Sequence, residues 1–108
     1  ITTVSGNQSI EKVTKNALRV VELGGITSIP VARGIGRPLV NLPVYAPEIH
    51  GNSGLDGHEF PEPTTKIISK HAIDFIIDMV MANDDVTLVP TGPLTNIACS
   101  LVKEPHAS

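Results

Sequence analysis

The residues best able to do chemistry gather in one tract, Pro47-Glu48-Ile49-His50-Gly51-Asn52-Ser53-Gly54-Leu55-Asp56-Gly57. It sets an imidazole among carboxylates and amides on a glycine-rich loop, the kind of segment that carries function when a rigid scaffold holds it. Imidazoles exchange protons near neutral pH, so His50 could hand a proton to a leaving group. Taken alone, an isolated loop histidine reads more plainly as an exposed side chain. Asp56, His58 and Glu59 place three metal-capable groups close together, but their spacing matches no established ligand pattern. His71 and His106 read as surface residues.

Two further segments invite the same question, Ile1-Thr2-Thr3-Val4-Ser5-Gly6-Asn7 and Val86-Thr87-Leu88-Val89-Pro90-Thr91-Gly92-Pro93-Leu94-Thr95-Asn96. Asn7 offers a carbonyl acceptor and amide donors, a pairing suited to sugar hydroxyls. It is equally a helix cap, and the residues leave both readings open. Thr91 could turn a main-chain carbonyl toward a hard cation such as calcium, although a simple strand-to-helix turn is the plainer reading. Other chemistries are excluded by what is missing. Gly34-Ile35-Gly36 lacks the third glycine of a dinucleotide loop, Gly51-Asn52-Ser53-Gly54 is not a nucleophile elbow, and no Gly-Lys-Ser/Thr phosphate loop occurs.

These segments need elements to position them. Ile1 to Val4 reads as a β-branched buried strand broken by Ser5-Gly6-Asn7. A helix capped by Asn7 or Ser9 should follow, with Ile10, Val13, Ala17, Val20 and Val21 at helical spacing and Gly24-Gly25 ending it. Ser28 to Ala32 suits a second strand, and Pro38 to Pro63 a long loop, of a length that compact domains seldom keep without a function. A second helix from about Ser69 to Ala82-Asn83 is apolar over much of its circumference and is expected to be buried. Val86 to Val89 suits a third strand, and Thr95 to Lys103 a third helix stopped near Pro105.

Strands alternating with helices predict an α/β fold, a partial doubly wound, Rossmann-like sheet of mainly parallel strands with flanking helices. Ligands of such sheets lie beyond the carboxyl ends of the strands, so Asn7, the turn after Ala32, Thr91 and the start of the long loop should share one rim.

With 108 residues, 41% hydrophobic and 18% charged, residues 1–108 read as a single partial domain. A formal net charge of -3 gives no reason to expect a nucleic-acid partner. The single cysteine, Cys99, lies in an apolar stretch and reads as a small buried hydrophobe, and the chain as cytoplasmic. No run approaches the roughly 20 apolar residues needed to span a bilayer, so no membrane partner is expected. Because the sequence opens on Ile1, directly in a strand-like run, more chain is expected upstream, and also beyond Ser108.

Taken together, the Ile1-to-Asn7 segment, the Glu48-to-Gly57 tract and Val89-to-Asn96 resemble the inosine-uridine preferring nucleoside hydrolases, in the same order along the chain. Asn16-Ala17-Leu18-Arg19 and Pro30-Val31-Ala32 extend the resemblance over nearly the whole chain. It implies hydrolysis of the N-glycosidic bond of ribonucleosides to ribose and free base, in purine and pyrimidine salvage, by a calcium-bound water that an aspartate deprotonates. It places Asn7 in the ribose and metal pocket, His50 as the catalytic and substrate-binding histidine facing the base, and Thr91 as a calcium ligand through its carbonyl. It also implies a homo-oligomer, dimer or tetramer, in the complete enzyme.

The sequence departs from the family's pattern in lacking its aspartate-rich opening motif and its later aspartate, histidine and amide region. Glu48 stands where some pyrimidine-preferring members carry asparagine. Calcium takes about 6 to 8 oxygen ligands, so this chain alone is expected neither to hold the ion firmly nor to turn over. A non-catalytic nucleoside- or sugar-binding module and a purely structural fragment are the alternatives.

Overall fold

The computed structural model describes residues 1–107. Ser9 caps the first helix, α1 (Ile10–Leu23), its hydroxyl accepting from the Lys12 amide at 3.5 Å. The helix buries Ile10, Thr14, Leu18 and Val21, a stripe at helical spacing. It ends where Gly25 takes a φ of +67°, with Gly25 N–H donating to Glu22 O and Ile26 N–H to Val21 O, at 2.9 and 3.1 Å. That paired closure uses the left-handed conformation glycine reaches without a Cβ penalty. Leu18 and Val21 pack with Val31 and Ala17 as the core cluster.

The remaining elements are a one-turn helix, α2 (Pro47–His50), then α3 (Ala72–Ala82) and α4 (Thr95–Lys103), and a final 3-10 turn, Pro105–Ala107. His71 caps α3, its Nδ1 accepting from the Ile73 amide at 3.2 Å. α3 packs on α4, where the Ser100 hydroxyl, 2% exposed, lies 3.4 Å from Ile73 O and donates to Asn96 O at 2.8 Å. Only Ala72 and Ile76 of α3 are buried, and Met79 and Met81 are exposed, so the helix is less enclosed than its apolar sequence suggests.

The expected sheet of mainly parallel strands is not present among the described residues. Its place is taken by one isolated parallel bridge, Thr2 to Ala32. Around it Ala32 N–H donates to Ile1 O at 2.9 Å, Thr3 N–H to Ala32 O at 3.0 Å, and Ser5 N–H to Ile35 O at 2.9 Å. The pairing does not repeat into a ladder, because side-chain amides take the next backbone groups. Asn96 Nδ2 donates to Thr3 O at 2.8 Å, and its Oδ1 accepts from Ile35 N–H at 2.9 Å. The Val86-to-Val89 run makes no backbone hydrogen bond to residues 1–4 among those described, and Val89 is 75% exposed. The apolar, β-branched composition was therefore wrong about strands, which need successive partners.

Candidate functional site

The turn between the first extended segment and α1 is fixed from within. Ser5 and Gln8 are each 4% exposed, and the Ser5 hydroxyl donates to Gln8 O at 3.1 Å while Gly6 N–H donates to the same oxygen at 3.3 Å. Asn7 stands exposed at the apex of this turn. It does not cap α1, since Ser9 does. Its carbonyl instead accepts from Ala46 N–H at 3.0 Å, and Ala46 O accepts in turn from His50 N–H at 3.0 Å. One residue, Ala46, thus ties Asn7 to His50 through its N–H and its carbonyl.

His50 is half-buried at the end of α2, which begins with Pro47 and closes as Gly51 N–H donates to Pro47 O at 2.8 Å. The loop beyond is held on both its faces. On the carbonyl side, Gln8 Nε2 donates to Gly51 O at 2.8 Å, Lys12 Nζ to Asn52 O, and Asn16 Nδ2 to Ser53 O at 2.9 Å. On the amide side, the Asp56 carboxylate accepts from Asn52 N–H at 3.2 Å, Ser53 N–H at 3.2 Å and the Ser53 hydroxyl at 2.6 Å. The Ser53 hydroxyl, then the Ser53 amide, hold this carboxyl below its usual range, with Asn52 N–H and the Lys12 charge adding to the effect against a smaller opposing cost of desolvation. Gly51 has a φ of +73°, and a Cβ there would collide with the Asp56 carboxylate.

Two cavities open on this turn. The first, about 430 Å³, sets Asn7 and His50 against apolar side chains that include Val13, Val20, Val21 and Leu55. The second, about 450 Å³, is lined by Asn7 again together with Thr2, Thr3, Thr91 and Asn96. Asn7 is therefore shared, with His50 on one side and Thr91 on the other. Of the three residues singled out in the sequence, all reach this region, but His50 and Thr91 line different cavities.

Other candidates fall away from it. His58 stacks edge-on against Phe60, with ring centroids 4.9 Å apart, in a separate depression with Arg19 and Asp56. Cys99 is half-buried rather than enclosed. Among the described residues no three His, Cys, Asp or Glu side chains are grouped to hold a metal ion, and no helix is long and apolar enough to cross a membrane. Neither cavity has a carboxylate in its lining. The donors present do not by themselves fit calcium, which needs several hard oxygens.

Four residues at the site were not assigned a role from sequence. Gln8, Lys12 and Asn16 recur every four residues, the spacing that stacks side chains on one helix face, and this was a readable signal for a polar stripe. Asn96 sits at the start of α4, where a side-chain amide competes with regular backbone pairing, but nothing in the sequence pointed to Thr3 and Ile35 as its partners.

Comparison with known proteins places this geometry. The family model for inosine-uridine preferring nucleoside hydrolases matches residues 1–108. The inosine-uridine preferring nucleoside hydrolase of Leishmania major is 48% identical over 109 residues, covering 98% of this chain and 35% of that protein. A pyrimidine-specific ribonucleoside hydrolase of Photobacterium profundum is 47% identical over 94% of the chain and 33% of its own length. The solved structure of a purine-preferring ribonucleoside hydrolase from Gardnerella vaginalis superposes with a TM-score of 0.92 at 35% identity, over 99% of this chain and 35% of that one. The chain spans about a third of the length of these relatives. A family match along its whole length, and a backbone that follows a solved ribonucleoside hydrolase, identify it as part of a member of the inosine-uridine preferring nucleoside hydrolase family.

Proposed function

We propose that the complete protein is an N-ribohydrolase that cleaves ribonucleosides to ribose and free base, and that this chain supplies the wall where sugar and base meet. The observation that carries the reading is the position of Asn7 between two cavities of different character. The apolar one beside His50 suits the flat face of a nucleobase, and the other, where threonines and asparagines stand among apolar side chains, suits a polyol. A departing base is a poor anion, so a proton or hydrogen bond from His50 lowers the barrier to its loss. Calcium remains part of the proposal through the Thr91 carbonyl alone, and its carboxylate ligands would have to come from outside these residues. The same reading puts the complete protein in the cytoplasm, as a dimer or tetramer, in purine and pyrimidine salvage. Base preference stays open, because the names of the similar proteins span inosine-uridine, pyrimidine and purine substrates.

The test is ribose release from inosine and uridine with calcium present. The full-length polypeptide should release ribose from at least one, and His50→Ala should slow release of at least one class of base. The 108-residue chain should be inactive, and turnover by it would refute the view that its site is incomplete. Binding of nucleoside without ribose release by the full-length polypeptide would favour the non-catalytic binding module.

A further inference from the structure

Gln8, just before the cap of α1, and Lys12 and Asn16 on the helix form a polar row whose side chains take no part in capping, yet it meets the loop after His50 in an ordered way. Successive carbonyls at Gly51, Asn52 and Ser53 accept from Gln8, Lys12 and Asn16 in turn. Within the helix, Lys12 and Asn16 are about one turn and 6 Å apart, and Gln8 precedes the cap, so the loop runs along the start of the helix. Close approach is built in at Gly54, whose φ is +83° and where a Cβ would press on Gln8 Cγ at 3.1 Å and Asn16 Nδ2 at 3.2 Å. The loop's amides are turned the other way, to Asp56. A loop bound through both its carbonyls and its amides has few conformations left, and the first carbonyl in the clamp follows His50 directly.

We infer that Gln8, Lys12 and Asn16 are positioning residues, which hold the His50 imidazole at the wall of the apolar cavity by fixing the backbone immediately after it. The inference rests on the reading of His50 as the group that assists departure of the base. None of the three need touch the reacting atoms for this role, although Gln8 and Asn16 also border the cavity. Lys12 is the cleanest of them to test, being absent from that lining, while Asn16 gives an independent arm.

The experiment compares Lys12→Met, Lys12→Arg, Asn16→Ala and His50→Ala in the full-length polypeptide, on inosine and on a nitrophenyl riboside. The nitrophenolate leaves without a proton, so its loss does not depend on where the imidazole sits. Lys12→Met and Asn16→Ala should each lower kcat on inosine by about tenfold, the scale expected for a misplaced group, while for Lys12→Met, which lies outside the cavity lining, nitrophenyl riboside cleavage stays within about twofold. Lys12→Arg should restore most of the lost rate. Adding His50→Ala to either variant should cost little more than His50→Ala alone, since both act through one group.

Equal loss on both substrates for Lys12→Met, or unchanged kcat on inosine, would overturn the inference. Misfolding of Asn16→Ala would leave the half-buried Lys12 pair to decide it. Failure of the unmodified full-length polypeptide to release ribose from any nucleoside would instead overturn the hydrolase reading itself, and the positioning role with it.

Discussion

Replacing Asn96 with alanine should be among the most damaging single changes to this region, and its cost can be worked from two bonds. Asn96 is 4% exposed, donates to Thr3 O at 2.8 Å and accepts from Ile35 N–H at 2.9 Å. Alanine removes both partners at once. Thr3 is 7% exposed, so its carbonyl has little access to replacement water. A buried group left unpaired costs about 1–3 kcal/mol, and the half-buried Ile35 amide falls at the low end, giving roughly 2–4 kcal/mol for the pair. Set against a typical stability of about 5–15 kcal/mol, that is a large fraction. Urea unfolding of the full-length polypeptide, followed by far-ultraviolet circular dichroism, should show the midpoint falling by roughly 1 M. Asn96→Asp should do no better, since it keeps the acceptor for Ile35 N–H but turns an oxygen toward Thr3 O. A midpoint shift below about 0.2 M for Asn96→Ala would refute the claim that this amide substitutes for strand pairing.

That substitution also explains where the sequence could and could not be read. The helices were legible because their signals are local: Ser9 before α1, Gly24-Gly25 after it, and Pro105 beyond α4 act within one or two turns. The expected start of α3 at Ser69 was early because His71 caps it instead, an unusual capping side chain. Strands are a different problem. Ile1 to Val4 has the composition of a buried strand, but a strand exists only if a neighbour supplies a ladder, and Asn96 intercepts the carbonyl of Thr3. The burial of α3 failed for the same reason, since apolar residues such as Met79 and Met81 show what could be covered and not what covers it. At the site, residue types alone left plainer readings of Asn7, His50 and Thr91 open, and it was the family resemblance that singled them out. That Asn7 O and His50 N–H both bond to Ala46, 39 residues on from Asn7, was not encoded in any local pattern.

Two more outcomes follow from the loop after His50. Gly51→Ala should destabilise it by about 1–3 kcal/mol through the left-handed φ alone, before counting the collision with Asp56. Limited proteolysis should then cut between residues 51 and 57 faster than in the parent, and an unchanged rate would count against the strained turn. The loop should also loosen in acid. The Asp56 carboxyl is held below its usual range in the folded chain, by the Ser53 hydroxyl above all. A carboxyl depressed on folding adds stability that is fully present above its unfolded value and is lost as the pH falls through the folded one, so the clamp should hold at neutrality and release below the ordinary aspartate range. Amide exchange at Asn52 and Ser53, whose N–H groups donate to that carboxylate, is the direct readout. Corrected for intrinsic rates, their protection should fall with acid in the parent. In Asp56→Asn it should be low and independent of pH across the same window. If protection in the parent persists unchanged to well below the aspartate range, the carboxylate is not what orders the loop.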